Sequence, residues 1–216
     1  SDVRVRIPDI GGCFGYKSDI TVEQTIAYIA SFVPGSPVKW VATRQEDYTS
    51  TSIAHGIRVQ MKIGARKDGK LVALKSTILH TGGAYADTAV NITIAATHNS
   101  TGPYVFEHCD STGYTVYTNT PAVGAYRGYG HQESQIATER MMDMLARKLQ
   151  IDPFELRRMN YLSEGKRNAV GEMMWKSNGD IAACAENTLR HVFSSPKKAE
   201  DEQYYYGRGF AAVMKS

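Results

Sequence analysis

The chain has 216 residues, with 25 Lys and Arg against 22 Asp and Glu, a formal net charge of +3 with histidines neutral, and a composition that is 42% hydrophobic. At this length about 70% of the surface exposed by the unfolded chain is buried on folding, so a core forms without staples, and disorder or collagen-like repetition is excluded. Apolar runs fall far short of the ~20 residues of a membrane span, and the N-terminal SDVRVRIPDI lacks a signal-peptide core, which points to a cytoplasmic protein with no membrane partner. The small, dispersed positive charge argues against nucleic acid as a partner. Cys13, Cys109 and Cys184 have no CxxC spacing and build no disulfide framework, so reduced thiols are expected.

Val3, Val5 and Ile7 alternate with Arg4 and Arg6, which predicts a strand running into the glycine turn GGCFGYK at 11–17. Thr21 to Gln24 has the form of a capping box, and Ile26, Ile29, Ala30 and Val33 follow at helical spacing, so an amphipathic helix is expected, stopped by Pro34 and Gly35. Val38 to Thr43 reads as a buried strand between Pro37 and the polar run 44–47. Ile57, Val59, Met61 and Ile63 alternate with polar residues, and Lys67-Asp68-Gly69 separates them from a second apolar run at Leu71, the pattern of an antiparallel hairpin with one wet face. Residues 81–103 predict irregular chain with one short helix, and Gly113 to Tyr117 a strand.

After AYRGYG at 125–130 a helix is expected from about Gln132 to Leu149, with Met142, Leu145, Ala146 and Leu149 as its apolar stripe. Asp152-Pro153-Phe154-Glu155 supplies an N-cap, a proline at the first helical position and a Glu at N3, predicting a helix to about Leu162. Lys166 to Asn178 reads as a polar loop with Met173, Met174 and Trp175 as a docking spot. A helix from Asp180 to Phe193, a charged linker from Ser195 to Gln203 and a strand from Tyr204 to Val213 complete the chain.

Glycines let backbone approach a ligand closely and permit positive φ, so amide N–H groups can converge on oxyanions. Two turns have this composition, GGCFGYK and AYRGYG. Neither has Walker A or dinucleotide-fingerprint spacing, and each alone is equally compatible with a tight turn between packed strands. The six histidines show no H-x-x-x-H or H-E-x-x-H spacing, and His131, which follows AYRGYG, is read as structural. There is no G-x-S-x-G elbow.

Taken in order, five blocks resemble one family. GGCFGYK is similar to the GGGFGxK turn of the molybdenum hydroxylases (xanthine oxidase, aldehyde oxidase and aerobic carbon monoxide dehydrogenase large subunits). PVKWVATRQEDY at 37–48, TGGAYAD at 81–87, TNTPAVGAYRGYG at 118–130 and ATERMMDMLARKLQIDPFELRRMNYL at 137–162 follow in register. The resemblance implies an α+β fold of mixed and antiparallel sheets with packed helices. Residues 1–194 would be the first molybdopterin-binding domain of a larger subunit, without its upstream part, and 195–216 a linker and the beginning of a second cofactor-binding domain.

By the same resemblance Gly12, Phe14, Gly15, Ala125, Tyr126, Arg127 and Gly128 bind molybdopterin, possibly in its cytosine dinucleotide form, while Ser18 and Tyr129 line the substrate pocket. No side chain ligates the metal directly, because the pterin holds it. The implied reaction is oxidative hydroxylation of an aldehyde, an N-heterocycle or a related substrate with water as oxygen source. Its base glutamate is expected outside this chain, so that the chain alone is inactive. The implied partners are the remaining segments of the large subunit, an iron–sulfur subunit and an FAD subunit, within a homo-oligomer of the heteromer. Ser18 stands where purine-hydroxylating members carry a glutamate, no arginine lies near Ala95, and Gly128 stands where carbon monoxide dehydrogenases carry a cysteine, so purines and carbon monoxide are disfavoured. Cys13 replaces a common glycine and reads as an inert thiol. The competing reading is a non-catalytic α+β module that keeps the fold, or a carbon monoxide dehydrogenase large-chain homologue in name only.

Overall fold

The computed structural model describes residues 4–18, 22–33, 35–194 and 203–214. The expected cap at Thr21, the stop at Pro34 and nearly all of the charged linker lie outside the described residues. Elements follow in the order α1 (Val22–Ala30), α2 (Arg44–Ser50), β1 (Ile57–Ala65), β2 (Leu71–Gly83), α3 (Ala89–His98), β3 (His108–Tyr117), α4 (His131–Leu149), α5 (Pro153–Arg158) and α6 (Ile181–Ser194).

The sheet has the order β1-β2-β3. In the turn after β1 the Arg66 amide donates to the Lys70 carbonyl at 2.8 Å and the Gly69 amide to the Arg66 carbonyl at 3.0 Å. So short a connection makes β1 and β2 antiparallel. β2 and β3 run parallel: Lys75 pairs with Asp110 at 2.8 Å, Ser76 meets Ser111 at an offset of 35 residues, and the Thr118 amide donates to Gly83 at the same offset. Parallel neighbours need a crossover, and α3 lies within it. The sheet is mixed and the class α+β. The alternation predicted for β1 is also observed, inner and outer residues succeeding one another along its whole length.

The chain forms two compact units, one of Ser1–Arg58, Leu79–Thr93 and Tyr114–Tyr129, the other of Val59–Ile78, Ile94–Gly113 and Gly130–Ser216. The second unit holds the main core, in which Leu71, Tyr104, Met142, Ala146, Leu156, Tyr161, Ala185 and Ala212 are buried. Two stripe residues predicted for α4, Met142 and Ala146, are fully enclosed. Burying such side chains stabilises by about 1.5–3 kcal/mol for the larger ones. Asp152 caps α5 as predicted, accepting from the amides of Phe154 (2.8 Å) and Glu155 (3.1 Å).

The face of α4 beside that stripe is polar yet buried, which hydrophobic periodicity does not reveal. Arg157, 1% exposed, fills it: Nε donates to Glu139 Oε2 at 2.9 Å, one terminal nitrogen to Asp143 Oδ1 (2.9 Å) and the Glu139 carbonyl (3.2 Å), the other to the Pro153 carbonyl at 3.0 Å. The Tyr104 hydroxyl donates to the remaining Glu139 oxygen. Burial works against the guanidinium charge, but Glu139, Tyr104 and Asp143 outweigh it and hold the group above its ordinary value.

Tyr161 stacks on Tyr104 with ring centroids 5.6 Å apart. Burial, reinforced by the Glu139 charge and opposed by Arg157, pushes its hydroxyl up to about 12. An unfolded tyrosine titrates near 10. The folded state therefore binds the proton more tightly, and this contribution is complete below pH ~10 and lost as the pH rises toward the folded value. A Tyr161→Phe protein is expected to lose less stability than the parent over this alkaline range, measured by urea unfolding; equal losses would contradict it.

Several expectations are corrected. Residues 4–10 form no strand, and Val5 and Ile7 are exposed, because alternation makes a strand only where a partner edge is available. Residues 38–43 are likewise irregular, with Val38 and Val41 exposed. Thr43 instead caps α2, a helix the polar run 44–47 concealed: the Thr43 amide donates to Glu46 Oε2 (2.7 Å) and the Glu46 amide to Thr43 Oγ1 (3.2 Å), a complete capping box. The stripe predicted for α1 is uncovered, Ile29 and Val33 being exposed. β3 begins five residues earlier than expected, at His108, and α5 ends at Arg158 rather than Leu162. Residues 204–213 form no strand; the side chain of Gln135 takes the place of a strand partner, its Nε2 donating to the Met214 carbonyl at 2.6 Å and its Oε1 accepting the Met214 amide at 3.1 Å.

Candidate functional site

The two glycine turns, apart from Gly130, lie in the first unit. In the first, Gly12 (φ +116°), Phe14 (φ +55°) and Gly15 (φ +104°) take left-handed backbone; in the second, Gly128 (φ +111°) and Tyr129 (φ +52°) do so. For glycine this is ordinary, but Phe14 and Tyr129 have side chains, and non-glycine residues held there cost about 1–3 kcal/mol each, a strain that clusters at functional sites. The turns touch. A Cβ on Gly15 would lie 2.8 Å from the Ala125 carbonyl oxygen and 2.9 Å from its carbon, so only glycine permits this backbone approach.

A one-turn 3-10 helix, Tyr16–Ser18, closes the first turn, with the Tyr16 amide donating to the Cys13 carbonyl at 3.2 Å and the Ser18 amide to Gly15 at 3.1 Å. The amides of Cys13, Phe14 and Gly15 themselves donate to no group among the described residues. Three successive free N–H groups beside strained backbone can receive an oxyanion. In the second turn the Tyr129 amide donates to the Tyr126 carbonyl at 2.8 Å.

Of the predicted residues, Gly15 and Ala125 meet, and Gly12 packs under the Phe14 ring, whose edge a Cβ there would approach to 2.8 Å. Phe14, Tyr126 and Arg127 are exposed, while Gly128 and Tyr129 are half-buried. The Ser18 hydroxyl turns back to donate to the Gly15 carbonyl, so it braces the turn. Cys13 is exposed. Among the described residues there is no group of three or more His, Cys, Asp or Glu able to hold a metal ion, and no helix long and apolar enough to cross a membrane. His131, at the start of α4, is buried.

Supporting residues escaped the sequence reading. Tyr16 lies near Asp47 of α2, and burial, then the charges of Asp47 and Glu23, raise its hydroxyl above the ordinary value against the opposing pull of Arg44. The second turn is entered through a parallel bridge between Ile53 and Val123. The T-x-x-E signal at Thr43–Glu46 was available in the sequence to place α2; nothing local pointed to Ile53.

The chain belongs to the molybdopterin cofactor-binding domain family, whose model matches residues 1–161. It is 35% identical over 181 residues to the nicotinate dehydrogenase large molybdopterin subunit of Eubacterium barkeri, covering 84% of this chain and 42% of that one. It is 34% identical over 209 residues to a putative xanthine dehydrogenase molybdenum-binding subunit of Escherichia coli K12, covering 96% of this chain and 27% of that one. Among solved structures, aldehyde oxidoreductase from Desulfovibrio gigas aligns with a TM-score of 0.78 at 32% identity, covering 86% of this chain and 20% of that one. Quinoline 2-oxidoreductase from Pseudomonas putida 86 aligns with a TM-score of 0.78 at 30% identity, covering 88% and 24%. The chain therefore spans less than half the length of these relatives.

Proposed function

We propose that this chain forms one wall of the cofactor site in a molybdenum hydroxylase that oxidises an aldehyde or N-heterocycle with water as oxygen source. The observation that supports this reading is the row of amides at Cys13, Phe14 and Gly15, which donate to no group among the described residues, held against the second turn where Gly15 meets Ala125. These amides, with the backbone of Ala125 to Gly128, would hold molybdopterin, which supplies the two-electron redox chemistry when bound. Phe14 and Tyr129 present aromatic rings beside it, and Ser18 keeps the first turn closed. The cytosine dinucleotide form, iron–sulfur and FAD partner subunits, a cytoplasmic location and assembly into a homo-oligomer of the heteromer belong to the same proposal. So do a first domain over 1–194 and a linker leading into a second over 195–216.

Ser18, the lack of arginine near Ala95, and Gly128 favour a substrate that is neither purine nor carbon monoxide. The polypeptide that carries this sequence, purified with its partner subunits, is expected to contain molybdenum and pterin and to oxidise aldehydes or N-heterocycles but not xanthine or carbon monoxide. Metal-free protein, or turnover of xanthine, would count against the reading.

A further inference from the structure

We propose that Ser52 and Asp87 are positioning residues: their hydrogen bond, seated over Gly124, fixes the second glycine turn against the first. Ser52 Oγ donates to Asp87 Oδ2 at 2.8 Å, tying the chain just past α2 to the residue that leads into α3. A Cβ on Gly124 would lie 2.4 Å from Ser52 Cβ, 2.7 Å from Ser52 Oγ and 3.1 Å from Asp87 Oδ2. The pair therefore occupies the space a side chain would take one residue before Ala125, where the turns meet. Asp87 holds left-handed backbone (φ +29°), a conformation that a non-glycine residue keeps only where its surroundings impose it.

Main-chain bonds secure the same strip from both sides. The Ile53 amide donates to the Ala122 carbonyl at 2.9 Å and the Gly124 amide returns to Ile53 at 3.3 Å, while the Val123 amide donates to Gly82 at 3.3 Å. Gly83 lies so close that a Cβ there would fall 2.2 Å from the Pro121 oxygen. The first turn neighbours the same framework, because α2, whose Asp47 lies near the Tyr16 hydroxyl, leads through its C-cap Thr51 directly into Ser52 and Ile53. One short helix thus lies beside the first turn and runs directly into the Ser52–Asp87 bond that holds the second. Neither residue needs to touch a ligand. Their role follows from where they hold Ala125.

This inference rests on the two turns being the cofactor site, and the test separates the two ideas. Variants S52A, D87A, D87N and G124A are made in the full polypeptide. Two readouts are taken: amide hydrogen exchange over 122–130 in cofactor-free protein, and molybdenum and pterin retained per chain. S52A and D87A are expected to exchange about tenfold faster at Val123 and Gly124, as befits local opening after the loss of one hydrogen bond, and to retain several-fold less cofactor. D87N keeps an acceptor oxygen and should resemble the parent in both readouts. G124A should behave like D87A, because the added methyl must push Ser52 away from Asp87. Unchanged exchange in S52A and D87A, a D87N variant as impaired as D87A, or a G124A variant that matches the parent would each overturn the proposal. If exchange responds as expected while the parent protein itself binds no molybdopterin, the brace stands and the cofactor reading fails.

Discussion

Gly15→Val is expected to abolish molybdenum retention while leaving the second unit folded. Valine at φ +104° carries a backbone strain of about 1–3 kcal/mol, and its Cβ would overlap the Ala125 carbonyl group, which is backbone and cannot swing aside. The turns must separate, and the amides of Cys13 to Gly15 lose their fixed spacing. Each ~1.4 kcal/mol of lost complementarity weakens binding tenfold, so a drop of more than an order of magnitude in bound molybdenum is the expected reading by metal analysis. Gly15→Ala should fall between the parent and the valine variant. Normal molybdenum content in Gly15→Val would mean that the contact between the turns is incidental to binding.

The largest loss of stability is expected from Arg157→Ala. Removing the guanidinium strands Glu139 in a buried site, and breaking a buried ion pair from one side costs about 3–5 kcal/mol. For a protein of this size each kcal/mol lowers the melting temperature by about 2–4 °C, so thermal unfolding should shift down by about 10 °C. The combination of Arg157→Met, Glu139→Leu and Tyr104→Phe should recover most of that loss, because replacing the buried polar partners together by apolar groups of similar volume is often neutral or stabilising. A single variant that melts within a degree or two of the parent would show the network to be dispensable.

The second unit was the more legible part of the fold. Its elements follow rules that act within a few residues: the alternation in β1, the Asp152-Pro153 start of α5, the stripe of Met142 and Ala146 on α4. The first unit departs from its local patterns where those patterns lack a partner. Val5 and Ile7 alternate as a strand does, and Val38 and Val41 look like strand core, yet all four are exposed, since no neighbouring edge pairs with them. The same limit produced the false strand at 204–213, where one amide side chain, Gln135, satisfies the backbone that a ladder was expected to satisfy.

At the candidate site, the two turns stood out through glycine spacing and family resemblance. What holds them did not, because Ser52, Asp87 and Ile53 act across 35 residues or more of sequence. Only the packed chain brings them together. The contact of Gly15 with Ala125 is of the same kind: each glycine turn is visible alone, but their meeting depends on the Ile53–Val123 bridge between them.

In the proposed function the backbone of the two turns receives the cofactor. Amide hydrogen exchange of the full polypeptide, compared with and without bound molybdopterin, tests it most directly. Protection is expected at Cys13, Phe14 and Gly15 and across 125–129, with little change along α4 to α6. Bound molybdopterin that leaves the amides of both turns exchanging at their unliganded rates would contradict the claim.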